Sequence, residues 1–424
     1  MDCADVAGVA GGVGMKYHKH RSLFITYDGL LDPLGASQIL PYLKAIASQE
    51  DHLHILSFEK PERYALAAGA LCEELAQTTI RWTPLIFTRR WGTLGKAWDL
   101  VRMQLVACRI AARIKPSVVH ARGHAPAQAA FVIQKLFRAR FLFDCRGLWV
   151  DERVDKGGWL LSNPWHRLQY CVYKWIEKIL FSHVDHMVVL TEAVIPEVLR
   201  LGVPDRKKLT VIPCCADFRH FQLATPQRRQ LARSECNIQE ASLVLGYLGS
   251  VGGMYMPEQF LRLVELASAR YPSLQVLVLT PDEEKFCQLM QRHLPSAFHP
   301  HVHIRGANRN QVARWLPAFD LIVAFAKPSF ARISMSPTKL AEAWAVGIPA
   351  VCNHGVGDVA ALVAELEAGM VIDASSDDEL CSVIDAFPVL IAKQGLLLRE
   401  ASQSKLGLDI GARRYCYIYN HLRA

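Results

Sequence analysis

Residues 243–260 read LVLGYLGSVGGMYMPEQF, an apolar run that stops at a glycine and leads into the start of a helix. The first seven residues fit a buried strand. Gly249, Gly252 and Gly253 fit a turn in which backbone approaches a partner closely. Strand, glycine turn and helix open a βαβ unit. This opening lies past the middle of a 424-residue chain. The fold therefore depends on whether a complete strand–helix series already precedes it.

One does. LFITYD (23–28), LHILSF (53–58), SVVHA (117–121), FLFD (141–144), HMVVLT (186–191) and LTVIPC (209–214) read as strands, separated by helical stretches near 37–48, 61–76, 94–114 and 125–138. After the polar segment 216–242, the second series runs through 243–249, 274–280, 301–306, 321–326 and 348–353. Two such series predict two doubly wound α/β domains. The expected division is a disordered leader 1–21, an N-terminal domain 22–215, a linker 216–242, a C-terminal domain 243–395 and a closing helical segment 396–424. Ligands of such sheets bind beyond the carboxyl ends of the strands, so the expected site is the cleft between the domains.

Composition narrows the function. At 51% hydrophobic and 21% charged residues the chain is globular. It contains no uncharged apolar run of about 18 residues, so no membrane-crossing helix is expected. Twelve cysteines are scattered without a C-x-x-C pair, which reads as free thiols in a reducing compartment. The net charge is +8, yet residues 85–180 alone carry 17 Lys/Arg against 6 Asp/Glu. That asymmetry points to an anionic surface or substrate. No nucleic-acid-binding module is recognisable.

SMSPTKLAEAWAVGIPAV, residues 334–351, reads as a helix and then a strand, with Ser336 as N-cap, Pro337 in the first turn and Gly347 as terminator. Lys339 stands where a helix N-terminus is already electropositive, at a cost of about 0.3–1 kcal/mol. Either Lys339 and Glu342 form a solvated i,i+3 pair, or the ammonium and the helix amides together seat a phosphate. In the second case Glu342 lies one turn along, placed to accept from ribose hydroxyls. Arg305 and Gly306, in HIRGANRNQV (303–312), follow another strand of the same half. Together these features suggest a nucleotide diphosphate site in the second domain.

Several stretches carry a resemblance: TYDGLLDPLGASQILPYL (26–43), FDCRGLWVDE (143–152), LTVIPCCADFRHF (209–221), GYLGSVGGMY (246–255) and SPTKLAEAWAVGIPAV (336–351). In order and spacing the chain resembles the retaining glycosyltransferases of family 4, from about Ser22 onward. The first and last stretches look like the branch that builds bacterial exopolysaccharide, capsule or O-antigen. The resemblance implies the GT-B fold: two Rossmann-like domains facing across a cleft, the first for acceptor and the second for a nucleotide sugar, with a C-terminal helix crossing back to the first. It matches Glu342 to the second glutamate of the family's E-x7-E motif and puts Thr338 and Lys339 at the donor phosphates. It puts Arg305–Gly306 at the base. Gly249, Ser250 and Ser336 complete the donor side. Ser334 replaces the first motif glutamate. The usual Arg and Lys after the first C-domain strand are absent, leaving Lys339 to supply that charge.

In the first half, Asp144 falls near the place of the family's catalytic histidine. Arg146 and Arg122 each follow a strand and precede glycine, and serve either the reaction, at the cleft rim, or salt bridges to Asp144, Asp151 or Glu152. His120 and His124 either face the cleft or are structural. Asp28 is an acceptor-side partner or a turn cap, and Gly35 lets backbone approach donor phosphate or acceptor. The expected catalytic set is Arg146, Lys339 and Asp144, with Asp28, Arg122, His124 and Glu152 toward the acceptor. No cofactor is expected beyond the nucleotide sugar as co-substrate, and no metal. Residues 158–181, rich in Trp, Tyr, Arg and Lys, fit either a lipid interface or a helix half in the core. The resulting expectation is a cytoplasmic, membrane-peripheral, retaining glycosyltransferase acting on a glycan or lipid-linked glycan acceptor. A GT-B protein that binds nucleotide or partners without turnover is one alternative. A GT-B epimerase acting on a nucleotide sugar alone is another.

Overall fold

The computed structural model describes residues 20–90 and 92–423. Residues 1–19 of the expected leader lie outside the described residues, and Arg21 already begins the first strand. The chain divides into two compact units. Among the described residues the first comprises 20–154, 159–212 and 411–423, and the second 155–158 and 213–410.

The first unit holds seven parallel strands: β1 (Arg21–Thr26), β2 (His52–Glu59), β3 (Ile80–Ile86), β4 (Val118–Arg122), β5 (Arg140–Asp144), β6 (His186–Val189) and β7 (Leu209–Val211). Their order is β3-β2-β1-β4-β5-β6-β7, so the direction of winding reverses between β1 and β4. Central strands are apolar on both faces: Leu23, Val119 and Phe141 on one and Phe24, Val118 and Leu142 on the other are all buried. That is the pattern of a parallel sheet covered by helices on both sides. The helices Gly92–Ile114, His124–Phe137 and Pro164–Ser182 pack side by side, with the middle one touching both neighbours. Asn163 caps the last of these by accepting from the amides of Trp165 and His166.

The second unit holds six parallel strands: β8 (Val244–Leu248), β9 (Gln275–Leu279), β10 (Val302–Arg305), β11 (Leu321–Ala324), β12 (Ala350–Asn353) and β13 (Gly369–Ile372). The order is β10-β9-β8-β11-β12-β13, with the reversal between β8 and β11. The Thr338–Val346 helix buries Leu340, Ala341, Trp344 and Ala345 in the core and ends at Gly347, whose φ of 88° suits glycine. At Gly246 the approach is close enough that a Cβ would fall 2.0 Å from the Phe319 ring.

Two strands, β3 and β13, escape the sequence reading, and both are sheet edges. β3 carries Arg81 and Pro84 and alternates buried with exposed residues, as an edge permits. β13 is four residues long and starts at Gly369, where a Cβ would meet the Ala350 carbonyl at 1.8 Å. The segment expected as a linker, 216–242, contains the Pro226–Glu235 helix and is built into the second unit. Arg233 is buried there against Asp320, at 2.8 Å, and the carbonyl of Ser242. Polar composition concealed a buried charge that is fully partnered. The Leu396–Leu406 helix packs on Thr338–Val346 in the second unit, and only residues from Gly411 onward join the first.

Candidate functional site

The reversal between β8 and β11 is where a sheet of this kind leaves a crevice at its carboxyl edge. Lys339 lies there. It is buried, and its ammonium rests 3.6 Å from the centroid of the Tyr255 ring and 5.5 Å from that of Tyr247. Gly249, at the end of β8, leaves room for it, since a Cβ there would sit 3.2 Å from Nζ. Gly249 also has a φ of 130°, which a side chain would resist. Among the described residues Lys339 forms no ion pair. Its helix starts at Thr338, after Pro337, and no side chain caps the amides of the first turn.

The electrostatics follow from this geometry. Burial pushes Lys339 down to about 7, with Cys352 and Glu342 opposing. Burial pushes Glu342 up to about 7, against Arg309 and Lys339. Glu342 keeps part of its surface accessible, one turn beyond Lys339. An anion arriving here would restore the charge of the lysine. A second cation stands close: Arg332 is buried, its Nε has no partner, and its charge acts on the Tyr255 hydroxyl.

The other expected donor residues are placed unevenly. Thr338 is the first residue of the helix. Ser336 does not cap that helix; its hydroxyl accepts from the Cys214 amide at 3.1 Å. Ser250 is exposed, and its carbonyl accepts from the Tyr247 hydroxyl at 2.7 Å. Arg305 ends β10, two strands out from β8, with its guanidinium over Trp315. A Cβ at Gly306 would meet the Glu283 carboxylate at 2.6 Å. Ser334 is buried and donates to the Ala331 carbonyl at 2.7 Å.

In the first unit the corresponding edge, between β1 and β4, gathers a charge cluster. Arg122 is buried and donates to Asp144 Oδ2 at 2.7 Å. Arg146 reaches Asp144 Oδ1 at 3.5 Å, and Asp28, half exposed, lies 3.9 Å from Arg122. Burial alone would raise Asp144, but Arg146 and Arg122 hold it below the usual carboxylate range. Such a carboxylate is a poor proton acceptor, so Asp144 holds the arginines and is not suited to act as a base. His120 is buried against Tyr419, Nδ1 to hydroxyl 3.0 Å, and burial lowers it to about 4. His124 binds buried Glu177 at 2.9 Å, which also pairs with Lys174 at 2.5 Å, itself bonded to Asp151. Both histidines are therefore held in structural contacts. Glu152 lies half buried in the Trp149–Asp155 helix. Gly35 serves packing: a Cβ would fall 1.9 Å from the Gly29 carbonyl.

Residues 36–215 match the Glycosyl transferase 4-like domain. Among solved structures the chain is similar to sucrose-phosphate synthase from Thermosynechococcus elongatus, at 15% identity and a TM-score of 0.67, covering 95% of this chain and 99% of that one. It is similar to Anabaena HepE in complex with UDP-glucose, at 15% identity and a TM-score of 0.66, covering 95% and 99%. It is also similar to WaaG, a glycosyltransferase involved in lipopolysaccharide biosynthesis, at 14% identity and a TM-score of 0.66, covering 94% and 99%. At these identities the likeness establishes the fold, GT-B. No curated protein matches the chain.

The match ends at Cys215, so it covers the Asp144–Arg122–Arg146 cluster and not Lys339. Sequence reasoning missed Arg332. Its signal was faint: one arginine in a seven-residue approach to Lys339, in FARISMSPTK (330–339), with no carboxylate between them.

Proposed function

We propose that this protein is a retaining glycosyltransferase that moves a sugar, a hexose in the simplest case, from a nucleotide diphosphate to a glycan acceptor. The observation that carries the reading is Lys339, a buried ammonium without an ion pair among the described residues, beside an uncapped helix start at the carboxyl edge of the second sheet. Three sources of positive potential converge on one space: Lys339, Arg332 and the helix amides. A diphosphate is the guest they suit. In departure it gains negative charge, and donors fixed in a site of low polarity stabilise that charge more than water would. Gly249 and Thr338 border the phosphates, Glu342 takes the ribose hydroxyls, and Arg305–Gly306 lies toward the base, with Ser250 and Ser336 supporting these loops. Arg146, held by Asp144, and Arg122 present charge on the acceptor unit, together with Asp28. Retention proceeds without an enzymic nucleophile: the leaving diphosphate takes the acceptor proton, and no metal is needed for charge that Lys339 and Arg332 already meet.

Structures similar in fold hold UDP and glucose, in HepE, and one acts in lipopolysaccharide biosynthesis. They support a sugar nucleotide donor and a polysaccharide product. We place the acceptor on a lipid carrier and the enzyme at the inner face of the cell membrane, bound peripherally. Among the described residues no single helix is long and apolar enough to cross a membrane.

The test is a thermal-shift screen over nucleoside diphosphates and their sugars, followed by donor-turnover assays with lipid-linked acceptors. A bound ligand raises the melting temperature by mass action. The expected result is one nucleoside diphosphate that raises it, with turnover of the corresponding sugar nucleotide. Binding without turnover would favour a non-catalytic nucleotide-binding protein, a reading motivated by Ser334, which is used locally. No shift with any nucleotide would overturn both.

A further inference from the structure

The Gly92–Ile114 and Pro164–Ser182 helices each bury one face on the first sheet and leave the opposite face apolar. On the first, Leu94, Trp98, Val101 and Leu105 are exposed, spaced i, i+4, i+7, i+11. At 100° per residue they form one stripe, turned away from buried Asp99, Met103 and Ala107. On the second, Trp165, Leu168, Val172 and Trp175 repeat the arrangement, and Trp165 keeps 75% of its surface exposed. The His124–Phe137 helix lies between them and adds exposed Leu136. Apolar stripes of this length on neighbouring helices are unusual for a surface meant to face water.

The exposed charges of these three helices have one sign. The three helices contain two carboxylates, Asp99 and Glu177, and both are buried. Lys96, Arg109, Arg113, Lys135, Arg167 and Lys178 are exposed. Asp99 is held by Arg102 and by the hydroxyl and amide of Thr88, and Glu177 by His124 and Lys174, so neither offers negative charge outward. A face that joins exposed tryptophan and leucine to lysine and arginine, with every carboxylate withdrawn, complements an anionic lipid surface. Indole rings settle at the headgroup level, apolar chains reach the acyl boundary and the cations meet the phosphates.

We propose that the outer face of these three helices docks the protein on an anionic bilayer. The proposal rests on the membrane placement in the functional reading and not on the donor site. The apolar residues provide insertion and the cations flanking the stripes select acidic lipid, so the two contributions separate by mutation.

The experiment is co-sedimentation of the full chain with vesicles of phosphatidylcholine alone, and of phosphatidylcholine mixed with phosphatidylglycerol. Tryptophan emission is recorded alongside. Binding to the mixed vesicles is expected, with a blue shift in emission and affinity falling about tenfold or more as salt rises through the range where the Debye length contracts. Replacing Trp98, Leu105, Trp165 and Trp175 by serine should abolish the blue shift and lower affinity at least about tenfold. Arg109→Glu with Arg113→Glu and Lys178→Glu should remove the preference for acidic lipid. All these positions are exposed, so melting temperature and any nucleotide-induced shift should stay as in the parent, which separates failure of docking from failure of the donor reading. Equal binding to both vesicle types, or none, would overturn the proposal. So would a concentration-dependent dimer by sedimentation that the serine variant abolishes, since a second copy would then cover the face.

Discussion

Lys339 carries an ammonium into a place where burial favours its neutral form, and the consequences are measurable. Its folded value of about 7 lies below the ordinary 10.5. Between those values the unfolded chain holds a proton that the folded chain has released, so this group makes stability rise with pH across that window. Glu342, raised to about 7 from 4.5, acts in the lower window: the folded chain holds the extra proton, and stability falls as pH rises from 4.5 to 7. A diphosphate bound at pH 8 would return the proton to Lys339. Titration calorimetry in two buffers of different ionisation heat should therefore show proton uptake in the parent and none in Lys339→Met. The same substitution should weaken a nucleoside diphosphate about 10–100-fold, the worth of a charge-assisted contact, and leave the nucleoside nearly unchanged. Equal losses for both ligands would remove the phosphate from this site. Lys339 and Glu342 were legible from their place in the first turn of a helix. Arg332 was not, because nothing in its local sequence shows that its guanidinium is buried without a carboxylate.

At the scale of an element, the final helix, Leu408–Arg423, shows how a distant segment completes a unit. Tyr415 packs on Tyr42, the Tyr419 hydroxyl meets His120, and Arg423 pairs with buried Glu50, which also accepts from Ser22 at 2.9 Å. Removing one member of a buried pair strands the other. Glu50→Ala should cost about 3–5 kcal/mol in urea unfolding, whereas replacing Glu50 and Arg423 together by methionine should restore most of it. A loss under about 1 kcal/mol in the single variant would show that the pair is hydrated and weak. Central strands and long helices were readable because burial on both faces, or on one stripe, writes itself into the residue pattern. β3 and β13 were not, because an edge strand tolerates Pro84, Arg81 and a starting glycine that a central strand would refuse.

For the whole molecule, the two units should answer differently to the same change. Truncation after Ile410 removes Tyr415, Tyr419 and Arg423, all of which belong to the first unit although they follow the second in sequence. In calorimetry the truncated chain should lose or lower the transition of the first unit, and the second should keep its melting and its response to a nucleoside diphosphate. An unchanged thermogram would mean that the final helix contributes little to the core it covers.

From the sequence alone came two parallel-sheet units, the reversal of winding implied by two strand–helix series, and a cation at the start of one particular helix. Those are consequences of local pattern, since apolar runs and capping residues act over a few positions. Tertiary structure alone decided that Asp144 is saturated by Arg122 and Arg146, that His120 and His124 are tied to Tyr419 and Glu177, and that Gly35 fits its own turn. It also decided that the polar segment 216–242 is part of a core. Each of these depends on a partner far away in the chain, and the charge or space that a side chain meets is set by that partner.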